Sequence, residues 1–133
     1  MNSTTTILPA TVEDIDALLP MVEQYWRFEN IEGFDPARMR ALLTRVLEDA
    51  SLGRVWVARV YGEPAGYLLA VYVFSLEFQG LTAEIDEFYV IPEHRSLGIG
   101  AAMLVRLFAL LWLGLSARLQ ATVVTLSSTW FGQ

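Results

Sequence analysis

The chain has 133 residues, 54% of them hydrophobic, enough for one compact core and too few for two ordinary domains, so a single domain over 1–133 is expected. It has no cysteine and one histidine, which removes disulfides and thiolate or histidine-rich metal sites; no metal is expected. A formal net charge of -6 leaves no excess of cations to displace counterions from phosphates, which excludes nucleic acid as an expected partner.

The opening residues have neither a basic stretch nor a long apolar one, so no leader is read there and a cytoplasmic protein is expected. Ile7 and Leu8 suit a short first strand. Thr11 followed by Asp14 resembles a capping box, and Ile15, Leu18, Leu19, Val22 and Trp26 then recur at helical spacing, predicting a helix that ends near Phe28. Asp35 and Pro36 supply an N-cap and a first-turn proline. Met39, Leu42, Leu43, Val46 and Leu47 form the apolar stripe of a second helix that stops by Gly53. Residues 55–60 and 66–74 are rich in β-branched and aromatic types around the turn signal Tyr61-Gly62-Glu63-Pro64, and predict two antiparallel strands.

After a loop containing Gly80, residues 83–91 read as another strand, stopped by Pro92. A glycine-containing turn leads into an apolar helix from about Gly100, and residues 121–126 read as a final strand. Strand, turn, helix and strand make a right-handed crossover with parallel strands, so the expected fold class is α/β with a mixed sheet flanked by helices. The apolar run 101–115 is shorter than the roughly 20 residues of a membrane span and contains Arg106; it reads as a buried helix, and no membrane partner is expected. All fifteen acidic residues lie at or before Glu93, so an acidic body meets a mildly basic, apolar tail.

The helix start carries the most chemistry. Its unpaired N–H groups and positive dipole end bind phosphate if the backbone can approach closely. Gly98 and Gly100 remove side chains that would block that approach, and Arg95 adds a permanent cation. The patterns for nucleoside triphosphates and for dinucleotides are both absent, so the expected ligand carries a pyrophosphate but is neither. Upstream, Glu84, Asp86 and Glu87 share one strand. Alternation puts Glu84 and Asp86 on one face and Glu87 on the other, unless a bulge shifts the register.

Arg95-Ser96-Leu97-Gly98-Ile99-Gly100-Ala101, following the strand Ile85-Asp86-Glu87-Phe88-Tyr89-Val90, resembles the acyl-CoA signature R/Q-x-x-G-x-G/A of the GNAT N-acetyltransferases. The order of strand, two helices and meander fits as well, and the resemblance covers about residues 7–126. Within the family, the stretch from Val73 to Val90 looks most like the polyamine and small-amine acetyltransferases. The resemblance implies acetyl-CoA as cosubstrate and a small-molecule primary amine as acceptor. It implies that the amides of Ser96, Leu97, Gly98, Ile99, Gly100 and Ala101, beside Arg95, hold the CoA pyrophosphate. The main chain of Phe88, Tyr89 and Val90 would hold the pantetheine arm, and a β-bulge in that strand would help open a slot for the thioester.

Asp86 and Glu87 match the acidic pair of the amine acetyltransferases, with Asp86 favoured as base and Glu87 as its substitute. The same residues also suit a solvated acidic edge. Trp26 and Glu29, between the first two helices, fall where the family often builds its acceptor site, although Trp26 also suits the core. His94 reads as a surface turn residue, and Tyr67 and Tyr72 as strand packing. Two departures stand out. Ser96 occupies a position where the family commonly has glycine. The chain also stops at Gln133 with Tyr89 as its last tyrosine, where relatives continue to a tyrosine that protonates the leaving thiolate. If the chain is complete, its last strand exposes an apolar edge, and a homodimer, by strand exchange, is expected. The alternative reading is a non-catalytic acyl-CoA-binding module that has lost its C-terminal catalytic part; a nucleotide-binding regulator would prefer ATP or NAD to CoA.

Overall fold

The computed structural model describes residues 4–113. Strand β1 (Thr5–Pro9) leads through a 3-10 turn (Val12–Asp14) into helix α1 (Ile15–Phe28), and helix α2 (Pro36–Glu48) follows. The predicted capping box forms: the Thr11 N–H donates to Asp14 Oδ2 at 2.8 Å, and the Thr11 hydroxyl also donates to Glu13 Oε2 at 2.7 Å. Helix α1 buries Ile15, Leu18, Met21, Val22 and Tyr25, a stripe at helical spacing, and Trp26 is half-buried at its edge. At α2, Asp35 caps as expected, accepting from the amides of Ala37 at 3.1 Å and Arg38 at 3.5 Å. Yet α2 buries none of its residues fully, because its stripe of Met39, Leu42, Leu43 and Val46 faces a cavity.

Strands β2 (Gly53–Val60), β3 (Glu63–Ser75) and β4 (Gly80–Val90) join β1 in one sheet, in the order β1-β2-β3-β4, with every pair antiparallel. The β2–β3 turn is tighter than the sequence suggests. Tyr61 and Gly62 make it alone, at φ 49° and 80°, as a two-residue hairpin turn requires. Glu63 and Pro64 belong to β3, and the proline is tolerated where the register slips: Ala58 faces Gly66, whereas Arg59 faces Pro64. The parallel pair of the expected mixed sheet, and the strand exchange, involve the predicted strand 121–126, which lies outside the described residues. The architecture is an α+β sheet with helices on both faces.

Successive side chains of β3 point to opposite faces. Tyr67 and Leu69 face the cavity under α1 and α2, and Leu68 faces helix α3 (Ile99–Leu113). Gly66 leaves little room beneath that helix: a β-carbon there would stand 2.7 Å from the Tyr89 carbonyl oxygen of β4 and 3.3 Å from Met103 Cε. Helix α3 buries Ile99, Met103 and Leu107, while Val105 is 64% and Phe108 51% exposed. The expected buried helix is therefore one-sided, because a uniformly apolar run does not mark which stripe meets the sheet. The turn into α3 carries two left-handed residues, Ser96 at φ 71° and Gly98 at φ 79°.

Two stability predictions follow from this packing. Leu68 is fully buried, and Leu68→Ala should lower the unfolding free energy by about 2–5 kcal/mol, read from urea unfolding midpoints. Ser96→Gly should raise it by about 0.5–1 kcal/mol, the left-handed penalty of a side chain less the greater unfolded-state freedom of glycine.

Candidate active site

The pairing of β3 with β4 slips between Leu69, which faces Glu87, and Ala70, which faces Ile85. Asp86 is the extra residue of a β-bulge, and its insertion changes the alternation that would otherwise separate it from Glu87. Both carboxylates line one cavity. Glu87 is held at both oxygens: Tyr67 Oη donates to Oε1 at 2.8 Å and Trp26 Nε1 to Oε2 at 3.0 Å. Burial pushes the Glu87 carboxyl above the usual carboxylate range, with the Tyr67 and Trp26 hydrogen bonds pulling the other way. Asp86 keeps more solvent contact but is also raised, by desolvation first and by the charge of Glu84 second. The Tyr67 hydroxyl is pushed well above its usual value by burial and then by Glu87, so it remains a donor.

The cavity, about 580 Å³, lies between the sheet and the two N-terminal helices. Val55, Leu69 and Val71 line its sheet side, Leu43 and Val46 its α2 side, and Trp26 of α1 stands beside the acids. Phe34, from the segment joining the helices, packs edge-on against Trp26 with ring centroids 5.7 Å apart, which holds the indole N–H toward Glu87. Of the two residues expected at an acceptor site, Trp26 is on the cavity wall and Glu29 is not; Glu29 accepts from Tyr25 Oη at 3.4 Å. Tyr67 is the group that sequence reasoning missed. Its only signal is a position on the strand beside the acids, which becomes meaningful once the register is known.

On the other face of β4 lies the helix start. A β-carbon on Gly100 would stand 3.0 Å from Phe88 Cζ, so glycine here serves the close approach of α3 to Phe88 and Val90. Gly98 has a different reason: nothing lies within 4 Å of its would-be β-carbon, and its φ is positive. The amides of Ile99, Gly100 and Ala101 open α3 and lack intrahelical acceptors. Arg95 turns toward the protein. Its Nε donates to the Val90 carbonyl at 2.8 Å, and its guanidinium lies 5.3 Å from the ring centroids of both Phe28 and Tyr89. His94 ends a 3-10 turn, Pro92–His94. Among the described residues no group of three or more His, Cys, Asp or Glu is placed to hold a metal ion, and no helix is long and apolar enough to cross a membrane.

No curated protein matches the chain. Solved structures share its fold. A possible acetyltransferase from Clostridium difficile 630 is 16% identical, with a TM-score of 0.78 over 95% of this chain and 82% of that one. A predicted acetyltransferase with acetyl-CoA from Clostridium acetobutylicum is 18% identical, with a TM-score of 0.75 over 94% and 82%. An aminoglycoside acetyltransferase from an uncultured soil metagenomic sample, in complex with sisomicin, is 14% identical, with a TM-score of 0.70 over 95% and 80%. The model of the acetyltransferase (GNAT) family matches residues 18–123, across the cavity and the turn into α3, and the chain belongs to that family.

Proposed function

We propose that the protein transfers the acetyl group of acetyl-CoA to a primary amine of a small molecule, the acceptor type of the small-amine and polyamine acetyltransferases that its sequence resembles. The observation that carries this reading is the bulge that brings Asp86 and Glu87 onto one cavity wall. The turn into α3 fits the cosubstrate's pyrophosphate, since the open space at Gly98 lets the backbone approach and the first helical amides seek acceptors. The amides of Ser96 to Ala101 would hold that group, and the main chain of Phe88, Tyr89 and Val90 would follow the pantetheine arm. Acetyl-CoA supplies an acetyl group activated as a thioester.

The remaining work falls to side chains of this chain. An amine reaches the cavity as an ammonium and must lose a proton before its nitrogen lone pair can attack. Asp86 is the base in this reading, taking that proton directly or through water; its raised value brings it closer to working pH than an ordinary aspartate. Glu87, fixed by Tyr67 and Trp26, holds the cationic head in place, and positioning of the amine is the larger part of the rate gain. Arg95 ties the turn to β4 and to the end of α1, so its role toward the cosubstrate is to hold the turn in shape.

CoA release in the presence of amines tests the reading. Asp86→Asn should lower kcat/KM by about 10²–10⁴-fold and remove the acid limb of its pH profile, which in the wild type should lie above the range of an exposed aspartate because a base works only when ionised. Unchanged kinetics in that variant, or a folded protein that does not bind acetyl-CoA, would overturn it. Tyr67→Phe removes a hydrogen bond that stabilises ionised Glu87, so Glu87 should protonate at higher pH. The expected result is a KM for amine that rises on acidification sooner than in the wild type, with kcat at the alkaline plateau little changed.

A further inference from the structure

We infer that the acceptor is a monoamine with an apolar body, an alkyl or arylalkyl amine, whose cationic head meets the carboxylates on β4 and whose body runs under α2 toward β2. The inference deepens the proposed function and rests on it for the direction of the amine.

Three features of the cavity support it. The first is the order of its walls. Both carboxylates enter from β4, at one edge of the described sheet; Leu69 and Val71 come next from β3, and Val55 stands farthest, on β2. Charge on one side thus gives way to hydrocarbon on the other. The second is α2. It has a full apolar stripe and no fully buried residue: Leu43 and Val46 pack only partly against the core and Leu42 is 43% exposed, so part of the hydrocarbon on this helix still faces the cavity. A ligand body lying under Leu43 and Val46 removes that surface from water, which is the favourable term.

The third is what the wall does not offer a polar ligand. Apart from the two acids, the charged lining residue is Arg45 of α2, which would repel the second ammonium of a diamine. The Tyr67 hydroxyl is already committed to Glu87, which leaves the buried Tyr72 hydroxyl, without a protein partner among the described residues, as the neutral polar group the wall can offer a ligand. A polyhydroxylated amine would surrender hydrogen bonds to water against a largely aliphatic wall, and that loss is unfavourable.

The test separates this inference from acetyl transfer itself. Binding of 2-phenylethylamine, putrescine and kanamycin to the full chain is measured by calorimetry in the presence of CoA, and turnover by CoA release from acetyl-CoA. The expected result is that 2-phenylethylamine binds, and is acetylated, at least about tenfold better than putrescine or kanamycin. Leu43→Asp should weaken 2-phenylethylamine binding by about tenfold or more, with melting temperature and acetyl-CoA affinity showing that the variant is folded. Binding of 2-phenylethylamine without turnover of any amine would support the cavity assignment and overturn the transfer reading. Preferential acetylation of putrescine or kanamycin would overturn the inference and leave acetyl transfer standing. Failure of 2-phenylethylamine to bind a protein that binds acetyl-CoA would overturn it as well, since the cavity would then be closed to an apolar body.

Discussion

The extra residue in β4 is the constraint on which the site depends. A regular ladder through residues 84–90 would send Asp86 and Glu87 to opposite faces of the sheet, one toward α1 and α2 and the other toward α3. The slip opposite Leu69 and Ala70 turns them to one side, at the expense of a regular rung. A carboxylate withdrawn from water in this way is unfavourable unless its oxygens find donors. Glu87 finds two, from elements far apart in the chain: Tyr67 on β3 and Trp26 on α1. One side chain therefore joins helix, neighbouring strand and bulge, and Phe34 closes the arrangement by packing on the indole.

Strand β4 also carries the helix start on its other face. Phe88 and Val90 support Gly100, with so little space that a β-carbon would meet the Phe88 ring at 3.0 Å. Arg95 completes the connection by reaching back to the Val90 carbonyl and resting against Tyr89 of β4 and Phe28 at the end of α1. The acids and the glycine turn are thus registered to each other through a single strand, and a slip of one residue in β4 would displace both. A site that must bring two reactants together at a fixed separation gains from such a common reference.

Much of this was legible in the sequence, and the exceptions have physical causes. Asp35 before Pro36, the change of period at Val55 and the stop at Pro92 each state a local preference, and the corresponding elements formed. Gly98 and Gly100 marked the helix start, although only the structure separates their reasons, a positive φ for one and close packing for the other. The bulge was expected from the family resemblance, but its position was not readable, since a period-two pattern does not announce an inserted residue when acids stand on both sides of it. Tyr67 looked like packing because an aromatic on a strand usually is; its hydroxyl became meaningful only when the register set it beside Glu87. For α2 the apolar stripe was correct as a pattern, yet a stripe does not tell protein core from cavity. Arg95 read as a permanent cation beside the turn because the sequence shows its charge and not the rings on which it rests.

The acid pair also links the site to stability. Asp86 and Glu87 both titrate higher in the folded chain than in ordinary carboxylates, so the folded state holds their protons more tightly than the unfolded chain does. The stabilisation that this gives is fully present below the unfolded carboxylate values and is lost as pH rises through the raised folded ones. Above those raised values, where the pair is ionised, the fold carries two partly desolvated charges that packing alone would not select. A bound ammonium reverses the balance, because an opposite charge beside each carboxylate favours its ionised form. It would draw those values back down, and part of the amine's binding energy would appear as stability of the folded chain. The groups whose ionisation weakens the fold are then the same groups that would recognise the acceptor in the proposed reaction, and the bulge is what keeps both of them on one side of the sheet.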